Sequence, residues 1–203
     1  IETPRVPQPK RRILITAGPT HEPIDAVRYL ANRSSGRMGV ALANEAAQRG
    51  YAVTLLLGPI DSAALPLHSQ IRLLRFRTAA NLQELLQNEW PNHDLLSMAA
   101  AVADYRPAAN SADQPAQKLD RRDSPITLTL EPVPDLLKQL ATISRPNQQK
   151  IGFALEPADR LDASARAKLE RKHLDAIVAN PLETMNAPDI AGRLYLRDGR
   201  MLT

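Results

Sequence analysis

The chain contains no cysteine among its 203 residues. Without cysteine there is no disulfide scaffold, no thiolate nucleophile and no cysteine-ligated zinc or iron–sulfur site. Aromatic residues are also scarce, at 3% of the chain, so the stacking platforms that hold nucleic-acid bases are few. A cysteine-free chain fits a reducing compartment, and we expect a cytoplasmic protein.

Long apolar runs are missing as well. No stretch of about 18 apolar residues occurs, so the sequence predicts no membrane span, and no basic-then-apolar leader is recognisable. The formal charge is +4, with Lys and Arg spread along the chain. A modest positive field that attracts an anionic small ligand explains this charge as well as nucleic acid would. With so few aromatic residues, we expect no nucleic-acid partner.

The familiar nucleotide-binding fingerprints are absent too. No G-x-G-x-x-G follows the first predicted strand, and no G-x-x-x-x-G-K-[ST] occurs anywhere. No tyrosine stands four residues before a lysine, as a short-chain dehydrogenase would require. No metal ligand is directly identified, because the four histidines lack metal-binding spacing: His21, His68, His93 and His173.

What the sequence does contain is an alternation of strand and helix patterns. Short apolar runs predict strands, and apolar residues at helical spacing predict helices. The predicted strands are 13–17, 53–57, 71–74, 94–102, 126–130, 150–155 and 176–179, and the predicted helices are 36–49, 81–89, 135–143 and 162–173. This order predicts an α/β fold with a mostly parallel sheet and helices on both faces.

The remaining segments divide the chain. Residues 1–12 include three prolines and read as an N-terminal arm or linker stub, so we expect the domain to span 13–203. Residues 21–35 read as a polar loop. Residues 106–124 have no pattern, and so long a connection is typical of a lid or binding loop. Residues 197–200 predict a small C-terminal hairpin.

The start of the first helix has the composition of an anion site. Ser34, Ser35 and Gly36 precede the helix, and Arg37 stands in its first turn. Free N–H groups and the helix dipole favour a phosphate or carboxylate at such a position. An ordinary helix capped by Ser34 or Ser35 accounts for the same residues. Gly39 would allow the helix to lie close to the sheet.

Several charged residues follow predicted strands or lie on helices. Ligands of parallel sheets bind beyond the carboxyl ends of the strands, where Gly18, Pro19 and Thr20 follow the first strand and Asp104 follows the 94–102 strand. Asp104 can bind a ribose or a cation, or it can simply form a turn. Lys168 and Lys172 share one helix face, and Lys118 lies in the patternless loop; each is also compatible with a solvated surface.

Taken together, these segments resemble one family, the phosphopantothenoylcysteine synthetases. The resemblance runs in order through residues 13–180. The motifs that carry it are 15–20, 22–25, 27–29, Asn32, 34–36, 38–39, 100–106, Lys118, 134–137, 152–154, Glu156, Lys168, Lys172, 174–175 and 179–180.

The resemblance implies a fold and a reaction. The expected fold is a Rossmann-like three-layer domain with a small C-terminal hairpin or dimerisation segment. The expected reaction joins 4′-phosphopantothenate to L-cysteine in coenzyme A biosynthesis, with CTP and Mg²⁺, through an acyl-cytidylate. A homodimer is implied, and so is a separate flavin-dependent decarboxylase as a possible partner, with no flavin in this chain.

The resemblance also assigns site residues. Asn32 would hold the acyl carbonyl of the intermediate, and Lys118 would contact the nucleotide. The loop formed by Gly18, Pro19, Thr20, Ser34, Ser35, Gly36 and Arg37 would take the substrate phosphate. The other nucleotide-binding positions would be Met98, Ala99, Ala100, Asp104, Pro134, Asp135, Leu136, Leu137, Phe153, Lys168 and Lys172.

The chain departs from the family pattern at four places. The usual Lys-x-Lys-Lys of the lid reads Lys-Leu-Asp-Arg at 118–121, Val133 replaces an asparagine, and Pro157 and Pro181 replace polar residues. Two alternatives therefore stay open, a degenerate nucleotide-binding module without ligase activity and a Rossmann-type NAD(P) oxidoreductase. The residues alone do not choose between CTP and ATP.

Overall fold

The structure is a computed structural model that describes residues 11–60, 67–108, 118–121, 123–185 and 192–203. Its strands, in chain order, are β1 (Arg12–Ala17), β2 (His21–Pro23), β3 (Tyr29–Ala31), β4 (Ala52–Leu57), β5 (Arg72–Arg75), β6 (Leu95–Met98), β7 (Tyr105–Pro107), β8 (Leu130–Pro132), β9 (Gln149–Glu156), β10 (Ala176–Pro181), β11 (Arg193–Leu196) and β12 (Met201–Leu202). The helices are α1 (Arg37–Gln48), α2 (Ala79–Glu89), α3 (Leu136–Ala141) and α4 (Leu161–Arg171).

One mixed sheet organises the described residues. Its order is β12-β11-β10-β9-β6-β1-β4-β5, and the strands from β10 to β5 run parallel. The β11–β12 hairpin adds antiparallel to β10. The chain builds outward from β1 through β4 and β5 and then returns to β6 on the other side of β1. Strand order therefore reverses between β1 and β6, which is where ligands bind in folds of this type.

Helices cover both faces of the sheet because the strands are apolar on both sides. Leu14 of β1 packs with residues of α2, α3 and α4, whereas its neighbour Ile15 packs with α1 on the opposite face. Such two-sided burial explains why β4 is apolar at every position except Thr54 rather than at alternate positions. The three layers and the C-terminal hairpin confirm the predicted fold class.

The first helix lies unusually close to the sheet. A Cβ on Gly39 would come within 2.5 Å of Ala17 Cβ and 2.9 Å of the Thr16 carbonyl oxygen. No ordinary side chain fits in that space, so the predicted packing role of Gly39 is confirmed. The expected serine cap is wrong: Gly36 is the N-cap, with a φ of 71°, and no side chain caps the helix. A left-handed backbone at this position favours glycine over serine.

Two other predictions of secondary structure were wrong. The polar stretch 21–35 contains a β-hairpin, β2–β3, and a second antiparallel ribbon pairs β7 with β8. The predicted strand 126–130 is not a strand before Leu130, and β8 joins the ribbon instead of the main sheet. Most of the predicted arm 1–12 and the central part of the predicted lid 106–124 lie outside the described residues.

Among the described residues, no helix combines the length and the apolar character that crossing a membrane would require.

Candidate functional site

The loops that follow β1 and β6 are joined at the carboxyl edge of the sheet. The Thr16 hydroxyl accepts a hydrogen bond from the Ala100 amide at 3.0 Å, and the Thr20 hydroxyl accepts one from the Ala103 amide at 3.0 Å. Both threonines are fully buried. Two backbone bonds complete the junction: the Ala101 amide donates to the Gly18 carbonyl oxygen at 2.9 Å, and the Thr20 amide donates to the Ala101 carbonyl oxygen at 3.3 Å. These bonds therefore fix the loop that follows β6 to the loop that follows β1.

The three residues that follow β1 belong to this junction: Gly18, Pro19 and Thr20. They line neither of the two clefts described below. All three are buried. Their expected contact with a substrate phosphate stays a prediction. Their structural part is to fix the loop that does face the clefts.

The first cleft, with a volume of about 370 Å³, opens beyond β6 and β9. It brings together residues from five separate segments of the chain. Its lining includes Asn32, which was assigned to the acyl carbonyl, and most of the positions assigned to the nucleotide: Met98, Ala100, Asp104, Pro134, Asp135, Leu136, Leu137, Phe153, Lys168 and Lys172.

Two ion pairs set the charge of the first cleft. The Lys172 ammonium lies 3.1 Å from a carboxylate oxygen of Asp135, and the Lys168 ammonium pairs with Glu156. The hydrogen bond from Lys168 holds the pKa of the Glu156 carboxyl below its ordinary value, so this group is ionised at neutral pH. Asp135 also caps α3 by accepting a bond from the Lys138 amide. Each lysine is thus held in place near the cleft.

Asn32 is placed by the loop opposite it. Its side-chain amide donates to the Val102 carbonyl oxygen at 2.9 Å, although the two residues are 70 positions apart. Asn32 itself remains exposed at the cleft. Its position follows from the β2–β3 hairpin, whose last strand ends at Ala31.

A second cleft, of about 260 Å³, lies at the start of α1. Its lining includes Ser34, Ser35, Gly36, Arg37 and Ala99. The two clefts share a wall made of Ala100, Ala101, Phe153 and Leu155. The two clefts are therefore adjacent.

The second cleft also contains a residue to which sequence reasoning gave no role. Asn180, at the carboxyl end of β10, is 7% exposed, and its Oδ1 atom has no hydrogen-bond partner among the described residues. This Oδ1 atom is enclosed and faces Gly192, where a Cβ would lie 2.5 Å from it. The place of Asn180 near the carboxyl end of a parallel strand was the signal that could have revealed it.

Lys118 is not brought to either cleft lining. It is exposed, and its neighbour Leu119 is bonded to the β2–β3 turn instead. The family-like position of Lys118 on the lid therefore stays a prediction.

The expected Mg²⁺ has few protein ligands available at the first cleft. Within the described ranges, no group of three His, Cys, Asp or Glu side chains could hold a metal ion. Asp104 and Asp135 nevertheless place two carboxylates at the cleft. Mg²⁺ commonly uses one or two protein carboxylates and takes its other ligands from phosphates and water.

Fold and site define an α/β domain of Rossmann-like architecture whose ligand clefts lie at the strand-order reversal. Residues 9–201 match the family described as DNA/pantothenate metabolism flavoprotein C-terminal domain (DFP). The chain belongs to this family.

Similar proteins agree with that assignment. The chain is 39% identical over 200 residues to a coenzyme A biosynthesis bifunctional protein CoaBC of Vibrio vulnificus. That alignment covers 95% of the chain and 48% of the relative. It is 41% identical over 177 residues to a cysteine/cysteine sulfinic acid decarboxylase of an unknown prokaryote, covering 87% of the chain and 47% of the relative. The chain thus spans about half the length of these curated relatives.

A solved structure gives the same result in three dimensions. The crystal structure of the C-terminal domain of a coenzyme A biosynthesis bifunctional protein CoaBC superposes with a TM-score of 0.75 at 34% identity. The match covers 95% of this chain and 84% of that one.

Proposed function

We propose that the chain is a phosphopantothenate–cysteine ligase that acts in coenzyme A biosynthesis. In this reaction, CTP activates the carboxylate of 4′-phosphopantothenate, and L-cysteine then forms the amide. The observation that carries the proposal is the first cleft, which gathers the nucleotide positions implied by the family resemblance from five segments of the chain. The similarity to proteins named for coenzyme A biosynthesis supports the same pathway.

We assign the nucleotide to the first cleft. The loop that begins at Met98 offers backbone groups to the nucleotide, and Lys168 and Lys172 stand on the opposite wall as phosphate ligands. Both ammoniums already face carboxylates, so a triphosphate would exchange one anionic partner for another. Charge-assisted contacts of this kind contribute about 1.5–3 kcal/mol each.

We assign phosphopantothenate to the second cleft. The start of α1 provides unpaired backbone N–H groups and the positive end of the helix dipole, and Arg33 and Arg37 add two cations. Since the clefts are adjacent, we assign the attack of the acyl carboxylate on the nucleotide α-phosphate to their boundary.

The proposed reaction has two steps. A carboxylate oxygen attacks the α-phosphorus, forming the acyl-cytidylate and releasing pyrophosphate. The cysteine amine then attacks the acyl carbon, and CMP leaves with the original carboxylate oxygen. Asn32, fixed by its bond to Val102, has a second amide N–H that we assign to the acyl carbonyl. Bound Mg²⁺ would neutralise phosphate charge, so the work of the protein is mainly alignment and charge gathering.

We also propose two protein partners, a second copy of the chain and a flavin-dependent decarboxylase. Val27 and Tyr29 of the first hairpin and Tyr105 and Leu130 of the β7–β8 ribbon are large apolar residues that are 44–64% exposed. Exposed apolar patches of this kind mark protein interfaces, and we assign this one to a homodimer. A flavin-dependent decarboxylase would supply the next step, and the location would be cytoplasmic.

Pyrophosphate release tests the proposal. We expect release only when CTP, phosphopantothenate and Mg²⁺ are all present, and amide product only when cysteine is added. The assay repeated with ATP determines the preferred base. Absence of release under all conditions would favour the degenerate binding module. Quenching of nicotinamide fluorescence by the protein would favour the oxidoreductase alternative.

A further inference from the structure

Leu119 is held at both of its backbone polar groups by one ion pair. Its amide donates to Asp25 Oδ2 at 3.1 Å, and its carbonyl oxygen accepts from the Arg28 guanidinium at 2.9 Å. Ninety-four positions separate Asp25 from Leu119. The side chains of Asp25 and Arg28 therefore satisfy the backbone N–H and C=O of Leu119, as a neighbouring β-strand would. Leu119 is adjacent to Lys118.

The Asp25 carboxylate divides its two oxygens between two tasks. Oδ1 accepts from the Val27 amide at 2.8 Å and the Arg28 amide at 2.6 Å, which forms the turn of the β2–β3 hairpin. Oδ2 accepts from the Arg28 guanidinium and from Leu119. The side chain of Asp25 is fully buried. The Arg28 guanidinium holds the pKa of the Asp25 carboxyl well below its ordinary value, so the group is ionised.

The hairpin that carries Asp25 is itself firmly attached to the domain. The buried Glu22 carboxylate accepts the Ala79 amide at 2.8 Å, at the start of α2, and the His21 amide donates to the Arg77 carbonyl oxygen at 2.7 Å. These bonds give the turn a fixed location relative to the sheet. A segment that is hydrogen-bonded to this turn is therefore also fixed relative to the sheet.

We propose that Asp25 is a positioning residue for Lys118. By fixing the backbone of Leu119, it anchors the neighbouring Lys118, which lines neither cleft here, so that the long lysine side chain reaches toward a bound nucleotide from a fixed point. This inference rests on the proposed function, because it takes Lys118 as a nucleotide ligand. It explains why a carboxylate, rather than any turn-forming side chain, stands at position 25.

The sharpest test is Asp25→Asn. An amide has one acceptor oxygen, so it can satisfy either the turn or the Leu119 side of the carboxylate, but not both. Asp198→Asn is the matched control, because Asp198 makes a similar backbone and guanidinium pair with Arg200 on the distant C-terminal hairpin. Each variant is made alone and together with Lys118→Gln.

Two measurements decide the proposal. In hydrogen exchange, the Leu119 amide should exchange roughly tenfold faster in Asp25→Asn than in the wild type, while the β1 amides stay protected. In the pyrophosphate assay, Asp25→Asn should lower kcat/KM for CTP about tenfold in the wild-type background and less than twofold in the Lys118→Gln background. Asp198→Asn should change neither quantity.

The contrary results are equally distinct. Unchanged exchange at Leu119, or a loss of activity that multiplies with that of Lys118→Gln, would overturn the proposal. If the wild type released no pyrophosphate, the ligase proposal would fail, and hydrogen exchange would still decide whether Asp25 holds the segment. If Asp25→Asn failed to fold, Arg28→Gln would remove the donor to the Leu119 carbonyl and would be subject to the same two outcomes.

Discussion

The Lys172 ammonium lies 3.1 Å from a carboxylate oxygen of Asp135, across the mouth of the first cleft. The lysine follows α4 and the aspartate caps α3, so this ion pair joins two helices that pack on the same face of the sheet. Both side chains keep about a quarter to a third of their surface exposed, at 26% and 36%. A pair this accessible adds little to stability. At this position, the Lys172 ammonium is accessible to a phosphate group.

Lys172→Met should therefore impair nucleotide use much more than folding. The substitution removes one positive charge and leaves the Asp135 carboxylate facing the triphosphate alone. We expect the KM for CTP to rise roughly 10- to 100-fold, as for the loss of a charge-assisted contact. Steady-state kinetics measures this change. Lys138→Met, an exposed lysine on α3, is the control, and an equal effect in both variants would contradict the assignment.

Asn32→Asp should separate the two chemical steps. A carboxylate cannot donate to the Val102 carbonyl oxygen as the amide does at 2.9 Å, nor to the acyl carbonyl. We expect the acyl-cytidylate to form and its consumption by cysteine to slow by at least about 100-fold. Rapid quench would then show a burst of pyrophosphate near one equivalent without amide product. Normal amide formation would show that Asn32 has no such role.

Gly39→Ala should destabilise the domain against the trend of helix propensity. Alanine favours a helix over glycine by about 1 kcal/mol, but here its Cβ would lie 2.5 Å from Ala17 Cβ. We expect the free energy of unfolding in urea to fall by about 1–3 kcal/mol as α1 moves away from β1. The reverse exchange, Ala41→Gly on the exposed face of α1, measures propensity alone. A more stable Gly39→Ala would refute the close packing.

His21 should make the stability of the hairpin sensitive to acid. Burial of the ring, and then the positive charge of Arg77, lower the pKa of His21 below its ordinary value. The unfolded chain consequently binds a proton more readily, so the free energy of unfolding falls as pH drops below about 6.5. His21→Phe keeps the stacking on Tyr29 and removes this titration. Between pH 7.5 and 5.5, its melting temperature should fall less than that of the wild type; an equal fall would contradict this.

Most of the main sheet could be predicted because its strands are buried on both faces. Runs such as β4 signal a central parallel strand without any knowledge of their neighbours. The two ribbons were missed because their strands have only three residues and lie largely exposed. For the same reason, the strand expected at 126–130 was placed too early. Apolar residues alternate with polar ones at 126–130, but none of these residues is buried in the structure.

The site was predictable where it depends on chain order and was missed where it depends on pairing across distance. Lys172 caps the end of α4 four residues after Lys168, so the spacing was enough to predict that the two lysines lie close together. Their carboxylate partners, Glu156 and Asp135, come from other elements. The bond between Asp25 and Leu119 is likewise invisible in the sequence, since a buried ion pair in a polar stretch resembles any solvated turn.

Isotope transfer tests the central claim most directly. If the acyl acid is activated at the α-phosphate, one carboxylate oxygen of phosphopantothenate must leave with the nucleotide. With the carboxylate labelled by ¹⁸O and with CTP, Mg²⁺ and cysteine present, mass spectrometry should find one ¹⁸O in each CMP formed. Unlabelled CMP, with the label retained in the acid or transferred to inorganic phosphate, would contradict the account.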